Sequence, residues 1–127
     1  MQKPKQFKPN HGGVGPKFNG RSAIDAMYDS VWTKYSQAFL AINKNCYSCG
    51  ERSEATDHLI PHHGDKYLFE KTDNHIPLCH RCHNTITSLF DRRHRPGTTI
   101  DPKLKWMALN RSRNMVEGRV KVLPRYG

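Results

Sequence analysis

The sequence predicts a small α+β domain stapled by a structural zinc site, and three observations carry that expectation. Two CxxC pairs, Cys46 with Cys49 and Cys79 with Cys82, bracket short runs of strand-like composition. An apolar face at helical spacing precedes the first pair, and a second amphipathic segment follows the last. A chain of 127 residues in which only 35% are hydrophobic can bury only a modest core, so something besides apolar packing must help hold it.

The cysteines supply that help. Each CxxC turn presents two thiolates to one ion, and two such turns close a tetrahedral four-thiolate site. A disulfide framework, with its three pairings, is the alternative, but it requires an oxidising compartment of which the sequence gives no sign. A bound metal also contributes folding free energy directly.

The formal charge of +10 points to a polyanionic partner, most often nucleic acid, although basicity alone does not separate DNA from RNA or from an anionic membrane. No apolar run approaches the roughly 20 residues that span a bilayer, and the N-terminus lacks the apolar core of a signal peptide. A cytoplasmic protein with no membrane partner is expected.

Residues 1–20, rich in Lys, Pro, Gly and Asn, read as a flexible basic arm with Phe7 and Phe18 as its only aromatics. Ile24, Met27, Tyr28, Val31, Trp32, Tyr35, Phe39 and Ile42 then recur at helical spacing. With Ser22 and Asp25 as a capping box, they predict one amphipathic helix from near Ala23 to near Asn43 whose aromatic stripe is core. "EATDHLI" and "HIPLC" read as short strands, the intervening "PHHGDKYLFEKTDN" as a long loop, and "HNTITSLFDRR" as a short helix. "RRHRPG" ends that helix in a basic turn. Asp101 and Pro102, as N-cap and first residue, open an extra C-terminal helix reaching about Asn114. The tail "GRVKVLPRYG" reads as an edge strand or an arm. The chain thus divides into the arm, residues 21–92 with the cysteine frame, and a basic extension over 93–127.

Phosphodiester hydrolysis needs a metal to neutralise charge and a base to activate water. Asp57 and His58 are adjacent, so on a regular strand they point to opposite faces unless the strand bends or ends there. Pro61 shortly after is consistent with such a break, and His83 follows the second cysteine pair directly.

"CYSCG", "TDHLIPHHGDKYLF", "DN" and "PLCHRCHNTIT", in that order, resemble the HNH endonuclease family, in particular its zinc-stapled phage and prophage form. With the upstream "YDSVWTKYSQAFL", the resemblance covers about residues 27–92. It implies a ββα-metal finger in which His58 is the general base, Asp57 and His83 hold one divalent ion (Mg2+, Mn2+ or Ni2+), and Asn74 orients the loop that carries the base. Zn2+ belongs to the cysteines, the substrate is double-stranded DNA, and the chain acts as a monomer or dimer.

Relatives of this kind stand beside the DNA-packaging terminase and assist it, whereas others are free-standing homing or restriction nucleases; a catalytically silent zinc-ribbon DNA-binding module is the alternative of another class. Many relatives carry a Lys before the Thr of the terminal helix, where this chain has Ile86 before Thr87. Arg92, Arg93 and Arg95 either restore that charge on DNA, the expectation the net charge favours, or form only a solvated surface run. Among the remaining histidines, His62 is the best candidate to support the site, with Gly64 permitting a tight turn beside it; His63, His75, His80 and His94 read as loop or supporting residues, and Asp65 as a cap.

Overall fold

Asp29 splits the long apolar segment of the N-terminal half into two helices. In the computed structural model, which describes residues 17–18 and 21–123, the segment forms α1 (Ala23–Met27) and α2 (Ser30–Ile42) rather than the single expected helix. The Asp29 carboxylate accepts the Trp32 N–H at 3.0 Å and caps α2. The break redirects the stripe: Trp32, Tyr35 and Phe39 are buried, but Ile24, Tyr28, Val31 and Ile42 are exposed. The expectation that the whole stripe is core therefore fails at those four positions. The arm predicted over 1–20 lies outside the described residues except for β1 (Lys17–Phe18), which pairs antiparallel with β2 (Arg21–Ser22).

The predicted strands form as β3 (Ala55–His58) and β4 (His75–Leu78), antiparallel, with Asp57 opposite Ile76 and His58 opposite His75. The segment between them is not all loop. Asp65 accepts the Leu68 N–H at 3.1 Å and caps a short helix, α3 (Lys66–Glu70), which buries Phe69. A 3₁₀ turn, Thr72–Asn74, leads into β4.

Helix α4 (His80–Leu89) starts at the second cysteine pair, with Cys79 as its N-cap, and a 3₁₀ turn at Asp91–Arg93 ends the segment. Helix α5 (Asp101–Asn114) takes Ile100 as its N-cap, so Asp101 lies one residue inside the helix rather than at the predicted cap. These helices and the small sheet make an α+β fold.

Two apolar clusters hold it together. One joins the four cysteines to Ile76, Leu78, Ile86 and Met107 of α5; the other joins Trp32, Tyr35 and Phe39 of α2 to Phe69 of α3. Val120 of the tail packs against both. Through residue 123 the tail is irregular backbone, neither an edge strand nor an arm. Asn43, at the end of α2, pins it: its amide nitrogen donates to the Lys121 carbonyl at 2.9 Å and to the Phe39 carbonyl at 3.1 Å, and its oxygen accepts the Lys121 N–H at 2.7 Å.

Truncating this side chain removes all three of these hydrogen bonds, two of which hold the tail at Lys121. Asn43→Ala lowers stability by about 2 kcal/mol in urea unfolding of the zinc-loaded protein. In a chain ending at Gly118 the same substitution has a markedly smaller effect.

Candidate metal centre and catalytic site

The four cysteines are buried, and their sulfur atoms all lie within 4.8 Å of one another. Cys49 and Cys79 sulfurs are 3.6 Å apart, close to the ~3.8 Å between thiolates on a tetrahedral ion with 2.3 Å bonds. All four are free thiols, so the disulfide alternative is not realised. The turns are built to hold sulfur anions: the Cys49 N–H points at the Cys46 sulfur (3.5 Å) and the Cys82 N–H at the Cys79 sulfur (3.4 Å). Gly50 closes the first turn at φ +83°, and a Cβ there would meet Val116 at 2.6 Å. The set is fit to hold one zinc ion. Stripping metal under reducing conditions removes the cooperative unfolding transition, since such an ion contributes on the order of 10 kcal/mol; Cys82→Ser has the same effect at ambient zinc, both read by circular dichroism.

Asp57 and His58 reach one groove because β3 ends at His58. The groove, of about 320 Å³, is lined by both residues together with Tyr28, His62, Thr87 and Arg92. Asp57 accepts the N–H of His58 on Oδ1 at 2.8 Å, and its Oδ2 lies 2.9 Å from Nδ1 of His83, carried by the first turns of α4. The hydrogen bond from His83 and the charges of His83 and Lys103 hold the Asp57 carboxyl below the usual carboxylate range, although burial opposes them. The same hydrogen bond pushes His83 above the ordinary histidine value.

His58 is 4% exposed and packs against both Trp32 and Phe69, whose ring centroids lie 5.4 and 5.2 Å away. Its Nε2 is 3.0 Å from the Phe69 carbonyl. A carbonyl only accepts, so Nε2 carries the hydrogen and Nδ1 keeps the basic lone pair. Burial drives the His58 pKa down to about 4, with the neighbouring His62 and His75 adding to the shift, so the ring is neutral at physiological pH.

Asn74 holds the backbone that follows His58. Its side-chain oxygen accepts the Ile60 N–H at 2.8 Å, its amide donates to the Ile60 and Leu68 carbonyls, and its own carbonyl accepts the Leu59 N–H. Helix α3 is too short to use its last carbonyls internally. Leu68 therefore serves Asn74, and Phe69 serves both His58 and His75, the latter at 2.7 Å. His75, read from sequence as loop or support, is a buried strand residue whose Nδ1 faces the Tyr35 hydroxyl at 2.5 Å.

The other candidates divide. His62 stands 4.7 Å from the His58 ring, its Nδ1 accepts the Gly64 N–H at 2.9 Å, and its Nε2 is 2.7 Å from the Tyr28 hydroxyl. Nε2 thus donates to Tyr28, and the hydroxyl hydrogen is left for another acceptor in the groove. Burial lowers the His62 pKa and raises that of Tyr28 to about 12. Thr87 and Arg92 line the groove, whereas Arg93 lines a neighbouring cavity and Arg95 folds back on the Arg92 and His94 carbonyls. Ile86 is fully buried, so a lysine at that position would point into the core instead of the groove.

Two residues escape the sequence reading. Tyr28 counts there as core, yet it stands 43% exposed at the groove. Lys103, in the extension, is 2% exposed and donates to the carbonyls of His58 and Leu59 and to Asp91. A lysine at a helical core position scores as polar in any hydropathy pattern, which hides it.

Compared with known proteins, the chain matches no family model, no curated protein and no solved structure. Among the described residues no helix is long and apolar enough to cross a membrane.

The lowered pKa of His58 has a measurable consequence. The unfolded chain binds this proton first as pH falls, so stability drops between the unfolded value near 6.5 and the folded value of about 4, by up to about 3 kcal/mol. In denaturant titrations across this window, His58→Gln removes that part of the slope; equal slopes in the two proteins would contradict a neutral buried His58.

Proposed function

We propose that the chain is a metal-dependent DNA endonuclease of the HNH type, with β3, β4 and α4 forming its ββα-metal finger and zinc in the four-cysteine set. The observation that supports this best is the Asp57–His83 pair at 2.9 Å, beside a His58 ring whose Nε2 is committed to Phe69. A carboxylate oxygen and an imidazole nitrogen at that separation match the ~3 Å between adjacent ligands of an octahedral ion with 2.1 Å bonds. Among the described residues only the cysteines bring three or more ligand atoms together, so the pair offers two protein ligands, as catalytic sites that leave room for water and phosphate do.

Asp57 and His83 would hold one divalent ion, Mg2+, Mn2+ or Ni2+, which neutralises charge on the scissile phosphate and the leaving oxygen. His58 takes the proton of the attacking water on Nδ1. Asn74 keeps the Leu59–Ile60 backbone, and with it His58, in place. Arg92, Thr87 and the spare hydrogen of the Tyr28 hydroxyl face the phosphodiester. The net charge of +10 suits double-stranded DNA as the substrate.

The zinc-loaded protein nicks or linearises supercoiled plasmid when Mg2+ or Mn2+ is added and not when it is withheld. His58→Ala lowers the rate by about 10² to 10⁴-fold, and His83→Ala raises the Mn2+ concentration required. Tight DNA binding without cleavage under every divalent ion would replace this reading with the zinc-ribbon binding module.

A further inference from the structure

Among the described residues Lys103 is a buried charge to which the proposed reaction gives no role, and it comes from the extension that the family resemblance leaves uncovered. Its ammonium donates to the His58 carbonyl at 2.9 Å, the Leu59 carbonyl at 2.7 Å and Asp91 Oδ1 at 2.8 Å. Three acceptors match its three hydrogens, which is the condition under which a buried ammonium is tolerated. Two of the three are the consecutive backbone carbonyls of the last residue of β3 and the residue after it, where ladder pairing with β4 stops at His58 and His75.

The segment is gripped from both sides. Asn74 takes the N–H groups of Leu59 and Ile60 and the carbonyl of Ile60, while Lys103 takes the carbonyls of His58 and Leu59. Helix α5 is itself anchored at the other end of the fold. Met107, one turn on, is fully buried in the cysteine cluster, and Asn110 donates to Ser48 at 2.8 Å and lies 3.8 Å from the Cys82 sulfur. The face carrying Lys103, Met107 and Asn110 thus ties the backbone at His58 to the four-thiol set.

We infer that Lys103 is a positioning residue for His58, which makes α5 part of the catalytic unit instead of an appendage to it. The inference rests on the nuclease reading above, because the group positioned is the base of that reaction. Asn74 fixes where the segment's N–H groups point, and Lys103 fixes its carbonyls. Together they hold the His58 backbone where its ring meets the Phe69 carbonyl and the groove.

The test uses the full, zinc-loaded chain. Lys103→Met keeps the length of the side chain and removes its donors. Leu104→Ala, a partly buried neighbour on the same helix, supplies a variant destabilised without loss of the clamp. Plasmid cleavage at saturating Mn2+ is measured for both at a temperature where both are folded, with the His58 ring followed by nitrogen-15 NMR.

The expected result is a fall in kcat of about 10²-fold for Lys103→Met, the scale of a misplaced reacting group, with KM unchanged. Leu104→Ala keeps the wild-type kcat. In Lys103→Met the His58 nitrogens also lose the fixed Nε2–H signature that the wild type and Leu104→Ala retain. An unchanged kcat in Lys103→Met, an equal loss in Leu104→Ala, or an unaltered His58 signature overturns the inference while leaving the nuclease reading intact. Absence of cleavage by the wild type under all divalent ions overturns both.

Discussion

The Cys79 position joins the metal frame to the groove. Its thiol belongs to the four-sulfur set, its residue caps α4, and its carbonyl accepts the His83 N–H at 2.9 Å. An ion held by the sulfurs would therefore fix the first turn of α4 and, through it, the direction in which His83 meets Asp57. The cysteine cluster contains only four other buried side chains, Ile76, Leu78, Ile86 and Met107. Metal–sulfur bonding can replace apolar area at that point because it is stronger per residue buried. Strand β4 and helices α4 and α5 all send side chains into this cluster, and α4 also carries Thr87 to the groove.

Beside the second cluster, on either side of the segment that follows β3, buried polar groups are held in a different way. His58, Asn74, His75 and Lys103 are each less than 5% exposed, and each is met by a partner of the right kind. The partners are backbone carbonyls that regular structure leaves over: those of Leu68 and Phe69 at the end of a short helix, and those of His58 and Leu59 just past the end of a strand. Orphan carbonyls at element ends would be a liability if buried alone. Here they sort the tautomers of two histidines and fix one amide and one ammonium. This dependence is mutual, and removing either partner strands the other in a dry environment, where the loss exceeds the worth of an ordinary hydrogen bond.

Much of this frame was legible in the sequence. Strands β3 and β4, helix α4 and the span of α5 follow from alternation, cysteine spacing and the 3.6-residue period; of the candidate residues, Asp57 meets His83 and Asn74 holds the backbone after His58. The misses have physical causes. Helix α3 is five residues long, too short to show a period, and Pro61 and Gly64 ahead of it read as loop. The break at Asp29 is a cap competing with an apolar stripe that runs straight through it, and the capping bond decides. Neither the carbonyl of Phe69 nor the ammonium of Lys103 carries a pattern, because backbone acceptors and buried lysines acquire their roles only when distant segments meet.

The environment of His58 also bears on how a base of this kind can work. An imidazole with a pKa of about 4 keeps its lone pair available at neutral pH, but it is a weak acceptor, and proton transfer is most effective when the base is matched to the working pH. The causes of its low value are the absence of solvent and the neighbouring histidines. A phosphodiester entering the groove adds negative charge beside the ring, and nearby negative charge favours the imidazolium form. Under the proposed reaction, the anion to be cleaved would favour the imidazolium form of His58 and the divalent ion on Asp57 and His83 would oppose it, while the Nε2–H bond to the Phe69 carbonyl leaves Nδ1 as the nitrogen that takes the proton.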